Sequence, residues 1–366
     1  MQATRIMITG GGTGGHIFPA VSIANALRKL EPACEILFVG AEGKMEMEKV
    51  PASGYEIVGL NISGFQRGSI LKNLSLPFKV IGSVIKARKL IQSFKPNVVV
   101  GVGGYASGPL MYACSNMDIP YLIQEQNSFA GVTNKMLAKG ASKICVAFDG
   151  MEKFFPSEKI LKTGNPVRDN VIDIKDKRFA GAALLKLDPH KKTILVTGGS
   201  LGSATLNKSV EKYLDMLVSQ DIQVIWQTGK YYYESIMQRL GVPPKGVIVM
   251  EFLHKMDLAY AAADVIVSRA GAGTIAELCF LSKPVILVPS PNVAEDHQTM
   301  NAIALVKNDA ALLVKDTEAE DALMPLALNL LKDTVKMENL SKNINKMAMP
   351  NADIIIAKEV LKLAGK

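Results

Sequence analysis

The sequence predicts an α/β protein built from two Rossmann-like domains, and three observations carry that reading. Apolar runs of strand length alternate with helical-period stretches almost from end to end, the pattern of parallel sheets made from βαβ units. At 366 residues the chain exceeds what one hydrophobic core normally organises. Finally, Ile8-Thr9-Gly10-Gly11 returns as Val196-Thr197-Gly198-Gly199 at an offset of 188 residues, close to half the chain. Each copy ends a strand with a glycine turn that opens a helix.

The first series of strands reads at 5–9, 35–39, 55–60, 97–101, 120–124 and 143–147. A second reads at 193–197, 223–227, 246–250, 264–268, 284–289 and 311–314. Between them, Thr163-Gly164-Asn165-Pro166-Val167-Arg168 is punctuation suited to a hinge. The expected division is a first domain over 1–164 and a second over 165–345, with 346–366 remaining. Ligands in such folds sit beyond the carboxyl ends of the strands, so two facing domains imply a cleft lined by glycine loops.

Composition narrows the class. With 48% hydrophobic residues, 21% charged and 17 prolines, the chain buries enough apolar surface to fold throughout. Cys34, Cys114, Cys145 and Cys279 lie far apart with no C-x-x-C, which argues against a disulfide framework or zinc site and fits a reducing cytosol. No charged n-region with an apolar core opens the chain, so no secretory signal is expected. The uncharged run Val98 to Met117 has the length of a membrane span, but Gly101, Gly103, Gly104, Gly108 and Pro109 make it strand, glycine loop and helix.

The net charge of +8 is uneven: residues 1–165 carry +7 and residues 166–366 carry +1. From Ser69 to Pro96, Lys72, Lys79, Lys86, Arg88, Lys89 and Lys95 occur with no acid, interleaved with Leu71, Leu74, Leu76, Phe78, Val80, Ile81 and Ile85. Two readings stay open: a solvated helix face over aliphatic core residues, or an anionic membrane surface, where each basic side chain contributes about 1 kcal/mol. Nucleic acid is disfavoured, since Phe78 and Phe94 are the only aromatics this stretch offers for stacking.

The first loop, Gly10-Gly11-Gly12-Thr13-Gly14-Gly15, satisfies G-x-G-x-x-G, and Glu42 lies past the second strand where a ribose-binding acid would belong. A nicotinamide-dependent oxidoreductase is therefore considered, although a glycine run satisfies many templates at once. More generally, such a loop lets backbone N–H groups approach an anion at a helix N-terminus, whether phosphate or developing oxyanion. Gly103-Gly104-Tyr105-Ala106-Ser107-Gly108 and Gly198-Gly199-Ser200-Leu201-Gly202 repeat the arrangement, suggesting one ligand with two phosphates or two ligands each with a diphosphate. With no D-x-D, a carboxylate-held metal is not indicated; helix dipoles with Ser200 and Arg168 can neutralise a leaving group instead. An interdomain salt bridge is the competing role for Arg168. Of four histidines, only His16 sits in a glycine loop, at a helix start whose dipole favours the neutral imidazole that can take a proton. His190, His254 and Trp226 read as loop, surface and core residues.

These loops, together with His16-Ile17-Phe18-Pro19-Ala20, Glu125-Gln126-Asn127, Gly164-Asn165-Pro166-Val167-Arg168, Ser268-Arg269-Ala270-Gly271-Ala272-Gly273-Thr274 and His297-Gln298, closely resemble the MurG family. Its members are bacterial UDP-N-acetylglucosamine:undecaprenyl-diphospho-muramoylpentapeptide N-acetylglucosaminyltransferases of peptidoglycan synthesis. The resemblance spans nearly the whole chain, in order. It implies the glycosyltransferase-B fold, a last helix near Asn351 to Ala364 crossing back to the first domain, and a peripheral enzyme on the cytoplasmic face of the cell membrane. The implied reaction joins N-acetylglucosamine to the C4 hydroxyl of the muramoyl sugar of lipid I, giving lipid II with inversion, without cofactor or metal.

Residue by residue, the family pattern assigns the donor to Thr13, Gly14, Gly15, Asn127, Arg168, Ser200 and Gln298, with the uracil near Leu253 and both ribose hydroxyls on Glu277. Gly104, Tyr105 and Ser107 are assigned to the acceptor. Inversion by single displacement needs a base; His16 is the first candidate and Glu125 its rival. Gln124 stands where many relatives have histidine, and Ser203 where alanine is common. Competing readings are a UDP-sugar-dependent glycolipid synthase acting on diacylglycerol, a nucleotide-sugar epimerase, and the oxidoreductase, which leaves the second and third loops unexplained. Protein partners in wall synthesis are left open.

Overall fold

The computed structural model describes residues 3–64 and 75–366. It comprises two compact units, one running up to Val167 and taking in Met349–Lys366, the other spanning Arg168–Ala348.

Seven parallel strands form the sheet of the first unit: β1 (Arg5–Thr9), β2 (Glu35–Ala41), β3 (Glu56–Leu60), β4 (Val98–Gly101), β5 (Tyr121–Glu125), β6 (Lys143–Val146) and β7 (Ile160–Lys162). Their spatial order is β3-β2-β1-β4-β5-β6-β7, so the chain reverses its direction of sheet growth between β1 and β4. Helices cover both faces, which is why the strands read as near-continuous apolar runs. Ile6, Ile8, Val98 and Val100 pack beneath the helix Gly14–Leu30 and the closing helix Ala352–Leu363, which contributes Ile356, Ala357 and Val360. Met7 and Val99 face the opposite core, with Ala87 and Ile91 of the helix Leu76–Phe94 and Leu110 and Met111 of the helix Gly108–Ser115. The three-residue β7, only partly buried, leaves no apolar run and is absent from the sequence reading.

The second unit repeats the plan with β8 (Thr193–Thr197), β9 (Gln223–Gln227), β10 (Val247–Met250), β11 (Val265–Ser268), β12 (Val285–Leu287) and β13 (Leu312–Leu313), in the order β10-β9-β8-β11-β12-β13. The 188-residue offset extends to the partner strands: Thr9 pairs with Val39, and Thr197 pairs with Gln227. Each sheet therefore has a switch point beside its first strand, where open α/β sheets bind ligands.

Candidate functional site

At the first switch point, the loop after β1 leads into the helix Gly14–Leu30, with Thr13 as N-cap and exposed Thr13 and Gly15 at its mouth. His16 occupies the third helical position, its Nδ1 3.2 Å from Thr13 Oγ1. Its ring lies over the loop after β4: a Cβ on Gly103 would come 3.3 Å from Nε2, and one on Gly104 3.3 Å from Nδ1. Gly104 has φ +79°, and a Cβ there would also meet Gly11 O at 2.5 Å, so the two loops interlock only because this position is glycine. Ser107 is buried and donates to Gly104 O at 2.9 Å, bracing the loop from inside. Tyr105 packs against Gly12; burial, then the charge of Glu46, pushes its phenol pKa up, keeping the hydroxyl a donor.

Glu125, at the end of β5, is 2% exposed. Its Oε1 accepts from Asn127 N (3.0 Å) and Asn127 Nδ2 (3.3 Å), and its Oε2 from Gly131 N (3.0 Å) and Asn134 Nδ2 (2.8 Å). Burial pushes the Glu125 pKa up, and these four hydrogen bonds pull against it. Both oxygens are thus engaged in shaping the loop that carries Asn127. Gln124 is fully buried in an amide relay: its Nε2 donates to Asn165 Oδ1 (2.9 Å), Asn165 Nδ2 donates to Gln126 O (3.0 Å), and Gln126 Nε2 donates to Gln124 Oε1 and to Val102 O (2.7 Å). Glu42, the acid the dinucleotide reading needs, pairs with Lys86 at 3.0 Å on the surface.

At the second switch point, Ser200 is exposed in the loop after β8. Thr197 Oγ1 donates to Gln227 Oε1 and accepts from Gly199 N (3.4 Å), while Gln227 Nε2 donates to Gly199 O (3.1 Å). The following helix, Ala204–Ser219, is N-capped by Ser203, whose hydroxyl accepts from Leu206 N at 3.3 Å. Arg269, after β11, donates to that same hydroxyl, to Val288 O and Pro289 O (3.1 Å each), and to Asp316, tying four segments at the carboxyl edge of the sheet.

Glu277 lies in the helix Ala272–Leu281 and pairs with Arg168 at 3.0 Å. Burial raises its pKa, and Arg168 pulls it back. The Tyr260 hydroxyl, wholly buried beside Glu277, interacts with it electrically but falls outside hydrogen-bond geometry, and burial drives its pKa far up. Gln298 accepts from Ser290 N at 2.8 Å, committing its oxygen to the loop. Leu253 is buried just past β10. The structure thus gathers Ser200, Leu253, Glu277, Gln298 and Arg168 in the second unit, and Thr13, Gly14, Gly15, His16, Gly104, Tyr105, Ser107, Glu125 and Asn127 in the first. Sequence reasoning missed Glu46, Asn134, Gln227 and the anchoring work of Arg269.

The helix Leu76–Phe94 resolves part of the basic segment; Leu71, Lys72 and Leu74 lie outside the described residues. Its buried stripe is Ser83, Ala87 and Ile91, whereas Phe78 (79% exposed), Val80, Ile81 and Ile85 face outward beside Lys86, Arg88 and Lys89. Val80, Ile81 and Ile85 are therefore not core residues, whereas Leu76 packs partly buried against the core. Exposed Tyr112 on the packed helix Gly108–Ser115, and Val132 and Met136 on the helix Val132–Leu137 beyond it, add further apolar surface. No helix among the described residues is long and apolar enough to cross a membrane.

Two parallel α/β units with glycine loops at both switch points define a glycosyltransferase-B architecture. The glycosyltransferase family 28 N-terminal domain matches residues 6–146 and its C-terminal domain residues 193–357. The chain belongs to glycosyltransferase family 28. It is 57% identical over 365 residues to the UDP-N-acetylglucosamine–N-acetylmuramyl-(pentapeptide) pyrophosphoryl-undecaprenol N-acetylglucosamine transferase of Bacteroides thetaiotaomicron, covering 98% of each chain. The enzyme of that name from Bacteroides fragilis is 54% identical over 366 residues, covering 99% of this chain and 96% of the relative. The crystal structure of MurG from Acinetobacter baumannii superposes with a TM-score of 0.80 at 27% identity, covering 98% of this chain and 99% of that one.

Proposed function

We infer that this chain transfers N-acetylglucosamine from UDP-N-acetylglucosamine to the C4 hydroxyl of the muramoyl sugar of lipid I, giving lipid II. The observation that carries the reading is full-length identity above half to enzymes named for that reaction. The new bond joins the acceptor oxygen to the anomeric carbon while the bond from that carbon to the UDP oxygen breaks, inverting the centre. His16 takes the hydroxyl proton in the tautomer whose Nδ1–H donates to Thr13 Oγ1, 3.2 Å away, because Nε2 then carries the accepting lone pair. Glu125, its oxygens held by four donors, is the weaker base candidate and instead fixes Asn127. Departing charge on UDP is met by the N-terminus of the helix Ala204–Ser219, Ser200 and Arg168, and Glu277 accepts both ribose hydroxyls.

The apolar face of the helix Leu76–Phe94, with its bordering lysines and arginine, docks the enzyme on anionic lipid at the cytoplasmic membrane face. Incubation with radiolabelled UDP-N-acetylglucosamine, a lipid I analogue and a chelator should yield labelled lipid product. Labelling of diacylglycerol instead would assign a glycolipid synthase, and no labelled lipid would sink the reading. Vesicle binding should weaken with salt and in the Lys72→Ala, Lys79→Ala, Lys86→Ala triple variant. A wild-type protein that ignores anionic vesicles at low salt would make this a solvated face.

A further inference from the structure

We propose that Glu46 is a positioning residue for this transfer, holding the first glycine loop, and through it His16, in the reactive arrangement. The inference rests on the transferase reading above. Glu46 has no exposed surface, a rare state for a glutamate without a paired charge. Among the described residues no cation pairs with it. Its partners are instead two backbone N–H groups, one from the loop after β1 and one from the end of β2: Gly12 N donates to Oε2 at 3.0 Å, and Ala41 N to Oε1 at 3.0 Å.

The surrounding chain is shaped to admit this carboxyl group. A Cβ on Gly11 would lie 2.1 Å from Oε1, and one on Gly40 would lie 2.6 Å from Cγ. Glycine at both positions is thus a condition for the side chain to be there. From the carboxyl group the packing is continuous to the proposed base. Gly11 O abuts Gly104 closely enough that a Cβ there would stand 2.5 Å away, and the same Cβ would stand 3.3 Å from His16 Nδ1. Gly12 holds φ +86°, and its N–H is directed to Glu46, so the loop enters the helix of His16 from a fixed point.

Only a carboxylate can accept from both N–H groups. In Glu46→Gln the amide keeps one acceptor oxygen and presents a donor to the other N–H, so one of the two bonds must break and the loop must turn. Displacement of a positioned base by about 1 Å costs up to about 100-fold in rate.

The test compares wild type with Glu46→Gln in three measurements: steady-state kinetics with UDP-N-acetylglucosamine and a lipid I analogue, calorimetric titration with UDP, and amide hydrogen exchange. Expected are a kcat lower by about 10- to 100-fold per folded molecule, UDP affinity within about twofold, and faster exchange confined to residues 11–16. Should Glu46→Gln fail to fold, Gly40→Ala displaces the carboxyl group from the β2 side without touching the loop, and the same selective loss of kcat is expected. Wild-type kcat in folded Glu46→Gln, or in Gly40→Ala if only that variant folds, overturns the proposal. The exchange measurement needs no substrate: unchanged protection of Gly12 overturns the positioning role even if the transferase reading itself fails, which inactive wild-type protein would reveal separately.

Discussion

The glycine loops after β1 and β8 start from the same four-residue pattern, yet they rest on different chemistry. Thr9 Oγ1 donates to the main-chain oxygen of Val39 at 2.8 Å, whereas Thr197 Oγ1, in the equivalent place, donates to the side chain of Gln227, which then reaches Gly199. The first loop is held instead by the buried carboxyl group of Glu46, the second by neutral groups with Arg269 at the adjoining helix cap. An acid beneath a loop opposes a second anion above it: at an effective dielectric near 20, charges about 8 Å apart interact by about 2 kcal/mol. A neutral brace leaves the helix field intact. On the proposed reading, the neutral brace suits the second loop to a diphosphate leaving group, and the acid under the first favours the cation that forms when His16 takes its proton.

The sharpest way to break this division is at His16. His16→Ala should cut kcat by about 10²- to 10⁴-fold while UDP affinity, which the proposed function assigns mainly to the second unit, stays nearly unchanged. A variant that keeps most of its kcat while the KM for acceptor rises would make His16 an acceptor-binding group and return Glu125 to contention.

The complementary change is in the second unit. Glu277→Ala should weaken UDP binding by about 1 to 3 kcal/mol in isothermal titration, since two ribose hydroxyls lose a shared acceptor. Burial raises the Glu277 pKa above its ordinary 4.5, so its charged, doubly accepting form is lost earlier as pH falls. Wild-type UDP affinity should accordingly decline on the acid side at a pH above the usual carboxylate range, and Glu277→Gln should abolish that limb. Unchanged affinity in Glu277→Ala removes it from the site. A smaller effect is expected on recreating the first unit's chemistry in the second: Gln227→Glu, which sets an acid under the loop and removes the donor to Gly199 O, should weaken UDP by about tenfold. Equal or tighter binding would dissolve the electrostatic distinction between the loops.

What could be read from the sequence follows the same physics. Parallel strands buried on both faces appear as apolar runs, and loops that must approach an anion appear as glycine runs, so both sheets and all three loops were legible. Glu46 was not, because it stands among the other charges Glu42, Lys44, Glu48 and Lys49, and its partners are backbone N–H groups that leave no mark in residue type. Nor could spacing decide which side of the helix Leu76–Phe94 faces inward. Its buried stripe uses the small Ser83 and Ala87, so the larger apolar residues that mimic a core lie outside. The anchoring role of Arg269 stayed hidden inside a motif whose glycines drew the attention.

The smallest expected effect tests whether the bracing of the second loop is structural alone. Ser203 caps the helix Ala204–Ser219 and also receives Arg269, so Ser203→Ala removes one cap bond and one guanidinium contact. Loss of a serine N-cap costs about 0.5 to 2 kcal/mol. For a unit of this size that is a fall of about 2 to 4 °C in its melting transition per kcal/mol. Arg269 keeps Val288 O, Pro289 O and Asp316 and therefore stays in place, so UDP affinity should hold within about twofold. Calorimetric melting beside UDP titration separates the outcomes. A lower melting temperature with intact UDP affinity leaves the cap a matter of stability. A loss of UDP affinity with unchanged melting would instead make the Ser203 hydroxyl part of the diphosphate site.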